Sequence, residues 1–192
     1  MAFIGMRHVV AAELNTYTPG SAPTYKTGMV IGKAISGNLT INRNDNPLYA
    51  DDAIAEDDRG ITGMSLELGL DDLLEDASAY LGLSVAEGTG DTLVYYDSTK
   101  SPKDVGVGYI RVRRKNGVDV FQAVWIYKSV FSQENEESQT KGESIEWQTP
   151  TINGRAAAVD LDGSGDMTFR VRKNFTTYSA AETYLDGLAG IS

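Results

Sequence analysis

Residues 118–131 read VDVFQAVWIYKSVF, the most apolar run in the chain. Phe121, Ala123, Trp125, Tyr127 and Phe131 share one parity, and Val118, Val120, Val124, Ile126 and Val130 share the other. Both faces are largely apolar, which predicts a central strand covered on both sides rather than one with a wet face. Its β-branched and aromatic content argues against a buried helix. Phe121, Val124, Trp125, Ile126 and Tyr127 are therefore the expected core, with Trp147 as a later contributor.

Upstream of this strand, Asn116-Gly117 signals a tight hairpin turn to a strand over Val105–Arg113. Arg113, Arg114 and Lys115 form a basic cluster at its tip, the mark of a solvated, protected edge. Gly106 and Gly108 flank Val107, a pattern better suited to close packing or a bulge than to a dinucleotide. Downstream, 132–142 is a polar loop with Glu134, Glu136 and Glu137. Ile145 and Trp147 then alternate with Ser144, Glu146 and Gln148 as a half-buried strand. Segments 156–161 and 167–173 read as a hairpin, with Met167, Phe169 and Val171 inward and Thr168, Arg170 and Arg172 outward. The sequence between them, from Asp160 to Asp166, resembles the start of a calcium loop. Its twelfth position is Val171, however, and strands flank it, so the reading is an acidic turn. Ser179-Ala180-Ala181-Glu182 is a capping-box pattern that opens a short C-terminal helix, with Tyr178, Ala181, Tyr184, Leu185 and Leu188 available for packing.

Toward the N-terminus, residues 6–14 alternate, with His8 on the more apolar parity alongside Met6, Val10, Ala12 and Leu14. A lone strand histidine is expected to be packed and hydrogen-bonded, and without a second one it makes a weak metal ligand. A Pro/Gly-rich loop spans 15–28, and strand alternation returns at Ile35, Leu39 and Ile41. The stretch 43–60, RNDNPLYADDAIAEDDRG, sets Leu48, Tyr49 and Ile54 among Asp45, Asp51, Asp52, Glu56, Asp57 and Asp58. A loop this long inside a compact domain is functional or disordered, and its apolar residues argue for an arm that packs on a partner. Met64, Leu66, Leu68 and Leu70 share one strand face that runs into a helix expected over about 71–81. Asp71-Asp72 would cap that helix, Leu73, Leu74, Ala77 and Tyr80/Leu81 would form its stripe, and Gly82 would stop it. The segment 87–102 is polar and Gly-rich around Leu93-Val94-Tyr95-Tyr96.

The pattern gives about eight strands, two short helices and no βαβ rhythm. The expectation is a mainly β sandwich or Greek-key barrel in one domain, 1–192, with the arm at 43–60 and a helical extension at 177–192. The chain has no cysteine, so thiol chemistry and zinc-thiolate sites are excluded. Neither a Ser/His/Asp set nor a P-loop is present, so no catalytic, cofactor-binding or metal-ligating residues are assigned, and an enzyme is not expected. A net charge of −10 opposes tight binding to a phosphate backbone. The first residues, MAFIGMRHVV, lack a signal-peptide pattern, and no stretch approaches the ~18 apolar residues of a membrane span. The expectation is a protein made and kept in a cytoplasm until something moves it.

Several landmarks together carry a resemblance: Leu48-Tyr49-Ala50-Asp51-Asp52, the junction 66–72 (LELGLDD), Trp125-Ile126-Tyr127-Lys128, and 140–150 (TKGESIEWQTP). In order and spacing, from about Arg7 to about Phe169, the chain is similar to the major tail protein family of long-tailed siphophages, often from Gram-positive hosts. The helix after Thr176 is unmatched. The resemblance implies a β-sandwich tube subunit that forms hexameric rings stacked into a hollow tube, with inner sheets lining the lumen. A long loop would reach a neighbour, here through Leu48, Tyr49, Asp51, Asp52 and Ile54. It further implies a virion protein assembled in the host cytoplasm. Its partners would be copies of itself, a tape measure protein, a tail terminator and a distal tail protein, with no cofactor and no membrane. DNA would pass through without being held, and a negative lumen wall would repel its backbone. An alternative reading is a carbohydrate- or protein-binding β-sandwich with Tyr17, Tyr25, Tyr95 and Tyr96 as its platform. A third is a hydrolase with a carboxylate pair in a cleft.

Overall fold

A computed structural model describes residues 2–44, 46–50, 53–58, 60–73, 75–87, 93–95, 101–132 and 149–191, with the backbone alone described at 2, 46–50, 53–58, 75, 86–87, 93–95 and 115. The first half comprises β1 (Ala2–Thr16), β2 (Thr24–Tyr25), β3 (Met29–Gly32), β4 (Ala34–Arg43), β5 (Asn46–Ala50), β6 (Ala53–Asp58), β7 (Ile61–Leu70) and α1 (Glu75–Leu81). The second comprises β8 (Val85–Glu87), β9 (Leu93–Tyr95), β10 (Val105–Lys115), β11 (Val118–Ser132), β12 (Thr151–Ala157), β13 (Val159–Asp160), β14 (Met167–Thr168), β15 (Arg170–Phe175) and α2 (Tyr178–Ala189).

The fold is mainly β, with two helices. A nine-stranded antiparallel sheet runs β2-β1-β10-β11-β12-β7-β4, with β3 also on β1 and β15 also on β11. β11 is the hub. One edge pairs with β10, while the other pairs with β15 over Phe121–Ile126 and with β12 over Lys128–Ser132. At that fork the sheet divides, and β12, β7 and β4 fold back over the face of β1, β10 and β11. Met6 of β1 packs against Gly37 of β4, although these strands lie far apart in the hydrogen-bonded order.

Two apolar clusters result. The first lies inside the fold and joins Val9, Ile31, Leu66, Leu68, Val107 and Val124, among others. The second lies on the opposite face of β1, β10 and β11, where Val10, Ile110, Ala123 and Trp125 are sealed by Ala181, Leu185 and Ala189 of α2. The central strand is thus covered on both sides: Val124, Trp125 and Ile126 are buried, and Phe121 and Tyr127 are half-buried against the α2 cluster. Trp147 lies outside the described residues.

Bulges overturn the simple alternation at three places. The β10–β11 register slips between Val105↔Ser129 and Val107↔Ile126. This puts Phe131 in the inner cluster and leaves Val130 exposed, the reverse of their expected faces. In β1 the register shifts between Arg7 and Val10, and His8 has φ 55; Met6 therefore joins the inner cluster while Val10 faces α2. In β4 a shift between Ala34 and Ser36 turns Ile35 out to solvent and packs Ala34 instead.

Helix boundaries also differ from expectation. α1 starts at Glu75, because Asp71 is used otherwise. Its carboxylate accepts the Lys33 and Asp72 N–H groups at 2.9 Å, and its own N–H donates to the Lys33 carbonyl. Ala77 and Leu81 are buried as expected, and Gly82 ends the helix at φ 77. In α2 the N-cap is Thr177, not Ser179: its hydroxyl accepts the Ala180 N–H, and Gly190 closes the helix in the left-handed region. The C-terminal helix packs as its pattern predicts: Tyr178, Ala181, Tyr184, Leu185 and Leu188 all join the second cluster. Asn116 and Gly117, at φ 53 and 80, make the tight turn their sequence predicts.

Candidate assembly surfaces

The expected arm is not a loop. β5 and β6 pair with each other in a separate two-stranded sheet, with Leu48 opposite Glu56, Tyr49 opposite Ile54 and a register shift between. They follow β4 and precede β7, which pair from Ala34↔Leu70 to Arg43↔Ile61. The hairpin is thus an outgrowth of a ribbon rooted in the inner core. Leu48, Tyr49 and Ile54 lie on its strands, while Asp51 and Asp52 lie outside the described residues. At its base, Ile61, Met64, Arg155, Met167 and Phe169 line an open groove of about 730 Å³. Among the described residues no carboxylate or histidine lines this groove, and Ile61 and Met167 are solvent-exposed.

His8 is hydrogen-bonded, as its position predicts. Its Nε2–H donates to Asp186 Oδ1 at 2.7 Å, and its Nδ1 lies 3.5 Å from Glu182 Oε1. Glu182 also accepts the Tyr178 hydroxyl at 3.1 Å, and the Arg7 guanidinium lies over the Tyr178 ring. Glu182 therefore serves the β1–α2 seam, not a capping box. The β1 bulge that gives His8 its positive φ places the imidazole there, which simple strand parity could not reveal.

A smaller cleft of about 420 Å³ brings two carboxylates, Glu13 and Asp104, into one concavity. Each has a lysine partner. Glu13 pairs with Lys26 and, at 3.2 Å, with Lys103, and Asp104 pairs with Lys128 at 3.0 Å. The Lys26 hydrogen bond, with Lys103 beside it, holds the Glu13 carboxyl below its usual range against the opposing effect of burial. A glycosidase acid needs its carboxyl raised instead.

The proposed tyrosine platform is partly committed elsewhere. The Tyr17 hydroxyl accepts the Asp160 N–H at 2.7 Å. Tyr25 stands edge-on to Trp125 with centroids 5.2 Å apart; it accepts the indole N–H and donates to the Tyr127 carbonyl at 2.7 Å. Burial pushes this hydroxyl up to about 12. The Tyr95 side chain and all of Tyr96 lie outside the described residues. In the acidic turn, Asp160 and Asp162 carboxylates accept the backbone N–H groups of 162–164, and among the described residues no cluster of ligands suits a metal ion.

The basic residues are arranged differently from the expected tip cluster. Arg114 is held by a two-pronged bond to Asp119 at 2.6 and 2.8 Å. Arg111 and Arg113 point to the inner face of the sheet, where Phe3 lies 3.4 Å from the Arg111 guanidinium and 5.4 Å from that of Arg113. Arg170 and Arg172, expected outward, sit opposite the inner-core residues Ile126 and Val124; Val171 faces α2. Met167 is exposed rather than inward, and Phe169 packs on the inner cluster. The signal for this face was the spacing of two arginines on each of two strands, Arg111/Arg113 and Arg170/Arg172.

A scan against protein-family models found no match to the chain, and a search of curated proteins found none.

Proposed function

We propose that the chain is a structural subunit that self-assembles into stacked rings forming a phage tail tube, as its resemblance to the siphophage major tail proteins implies. The observation that carries this reading is the hairpin β5–β6. It sets Leu48, Tyr49 and Ile54 among a run of carboxylates, in a small sheet of its own, on a ribbon rooted in a rigid core. An isolated two-stranded ribbon is marginally stable in water and gains most by packing on another surface. Among the described residues the outer edges of β15 and β4 have no strand partner, and a closed ring would cover such edges. The assembled tube is a virion conduit for DNA, and the −10 charge keeps its wall from gripping phosphate. Tape measure, tail terminator and distal tail proteins are its further partners, and assembly takes place in the host cytoplasm.

Electron microscopy of the purified protein over a concentration series tests the reading. Rings or hollow tubes that accumulate with concentration are expected. A monomer at every concentration, alone or with a tape-measure protein, would overturn it.

A further inference from the structure

The inner face of β10, β11 and β15 becomes cationic along its rim: Arg170 and Arg172 on β15 flank the core beside Ile126 and Val124, and Arg111 and Arg113 on β10 continue the face toward the Asn116-Gly117 turn. Pairings Arg111↔Gln122, Arg113↔Val120, Val124↔Arg172 and Ile126↔Arg170 set the four arginines on one side of three adjacent strands. Burial raises the Tyr109 hydroxyl pKa at the border with the core, and the charges of Arg111, Arg170 and Arg172 oppose that rise. No described carboxylate lies within ion-pair distance of Arg111, Arg113, Arg170 or Arg172, in a protein with 27 acidic residues against 17 basic ones. Burial first, then repulsion from Arg170, Arg172 and Arg113, pushes the Arg111 guanidinium below its usual value, with Tyr109 opposing. Among the described residues two polar atoms on this face are buried without partners: Arg113 Nε and Gln122 Oε1, the latter in a residue only 5% exposed whose amide donates to Asn174. Phe3, between two guanidinium groups, is nevertheless 47% exposed.

Four neighbouring like charges, an exposed aromatic ring and buried polar atoms without partners form a surface that lacks its counter-charges among the described residues. Its complement must bring several carboxylates and some apolar area. Duplex DNA would bring phosphates, but the net charge of the protein repels it. A second copy carries the fitting chemistry. Glu56, Asp57 and Asp58 are consecutive on β6, with Leu48 opposite Glu56.

We infer that the Arg111/Arg113/Arg170/Arg172 face, with Phe3, is the socket that receives the acidic β5–β6 hairpin of a neighbouring copy. This rests on the assembly reading above and names the receiving half of the contact. Guanidinium forks match carboxylates two-prongedly, so the contact fixes register as well as affinity. It also explains how an acidic protein can bring copies together without net repulsion at the seam.

Charge exchange between two variants tests it. One carries Arg170→Glu with Arg172→Glu, the other Asp57→Lys with Asp58→Lys. Circular dichroism and Trp125 emission check that each folds. Should Arg170→Glu fail to fold, the exposed Arg172→Glu alone replaces the first pair. Each variant alone should need about 30-fold more protein than the wild type to reach half-assembly, the scale of a lost interfacial charge pair. Mixed in equal amounts they should assemble again, because each hairpin then meets a socket of opposite sign on the other copy. Wild-type rings with unimpaired variants would overturn the socket and leave the tube reading intact. Wild-type protein that never assembles would overturn both. Rescue only when all four changes share one chain would place the contact within a subunit and overturn the inference. Binding of duplex DNA by the wild type, lost in the arginine variant, would overturn it in favour of a phosphate ligand.

Discussion

Gly106→Ala is the sharpest test of how the second core is built. A Cβ at Gly106 would lie 2.5 Å from Trp125 Cζ2 and 2.6 Å from Tyr25 Cε1. Carbon contacts settle at about 3.5–4.0 Å, so both rings would have to withdraw by roughly 1 Å. Trp125 has no room to do so: it is 1% exposed, and its ring also crowds Gly108 together with Val10 and Leu185 of α2. Tyr25 could swing away only by stretching its 2.7 Å bond to the Tyr127 carbonyl and losing the indole N–H. Overpacking costs about 1–3 kcal/mol, and a buried group left unpaired costs about 1–3 more. The expected loss is therefore about 2–6 kcal/mol, measured by urea denaturation with Trp125 emission as the probe. Gly63→Ala is the internal control. There the nearest atom to a new Cβ is Asn42 Nδ2 at 3.9 Å, so the change should be neutral or slightly stabilising, within about 1 kcal/mol. Equal stability of the Gly106 variant and the wild type would refute the argument that these glycines exist to admit the rings.

Other expectations follow from the same contacts. Leu48→Ser with Tyr49→Ser should leave a folded subunit that forms no tubes; unchanged tubes in negative stain would remove the hairpin from assembly. Tyr25 has a raised pKa of about 12, so its contribution is complete below the ordinary tyrosine value and is lost as pH rises through about 12. Wild-type stability should therefore fall by roughly 2 kcal/mol in that alkaline window, and Tyr25→Phe should flatten the fall, as read by denaturation at stepped pH. Glu13 is depressed, so its ion pairs contribute above the ordinary carboxylate range and are lost as pH falls through its lowered value. Glu13→Gln should cost about 0.5–1 kcal/mol at neutral pH, and the difference should close in acid. Leu185→Ala, at a fully buried site where α2 meets Gly108, should cost about 2–5 kcal/mol and raise proteolysis of the C-terminal segment.

What the sequence disclosed follows the physics of each signal. The β11 strand was legible because two apolar parities survive any rotation: Val124, Trp125 and Ile126 had to be buried whichever face met which core. The Asn116-Gly117 turn was legible because few residue pairs accept two positive φ values in succession. The errors cluster at bulges. One extra residue near His8, Ile35 and Lys128 inverts the faces of everything beyond it, and no parity rule carries through such a slip. Asp71 misled for a related reason: a carboxylate before an apolar stripe caps a helix or ties off a strand, and only the position of Lys33 decides which. The hairpin at 46–58 read as a loop because its Asp and Pro content lowers strand propensity, while its pairing depends on the β4–β7 ribbon that leads into it.

The placement of charge gives the proposed assembly its logic. Among the described carboxylates, those near basic residues are mostly committed within the chain: Glu13 to Lys26 and Lys103, Asp104 to Lys128, Asp119 to Arg114, Asp186 to His8. These pairs fasten one element to another, as Asp186 fastens α2 to β1, and leave little to attract a neighbour. Among the described residues four arginines without an ion pair, Arg111, Arg113, Arg170 and Arg172, share one sheet face, and the run Glu56-Asp57-Asp58 lies on one hairpin. Segregating the two signs in this way gives every subunit one donor surface and one acceptor surface that are not the same patch. An interface between unlike patches is heterologous, and heterologous contacts build rings or filaments, whereas a self-complementary patch would stop at a dimer. A dimer that stays dimeric at every concentration would therefore argue against the segregated-charge scheme even if the protein proved to self-associate.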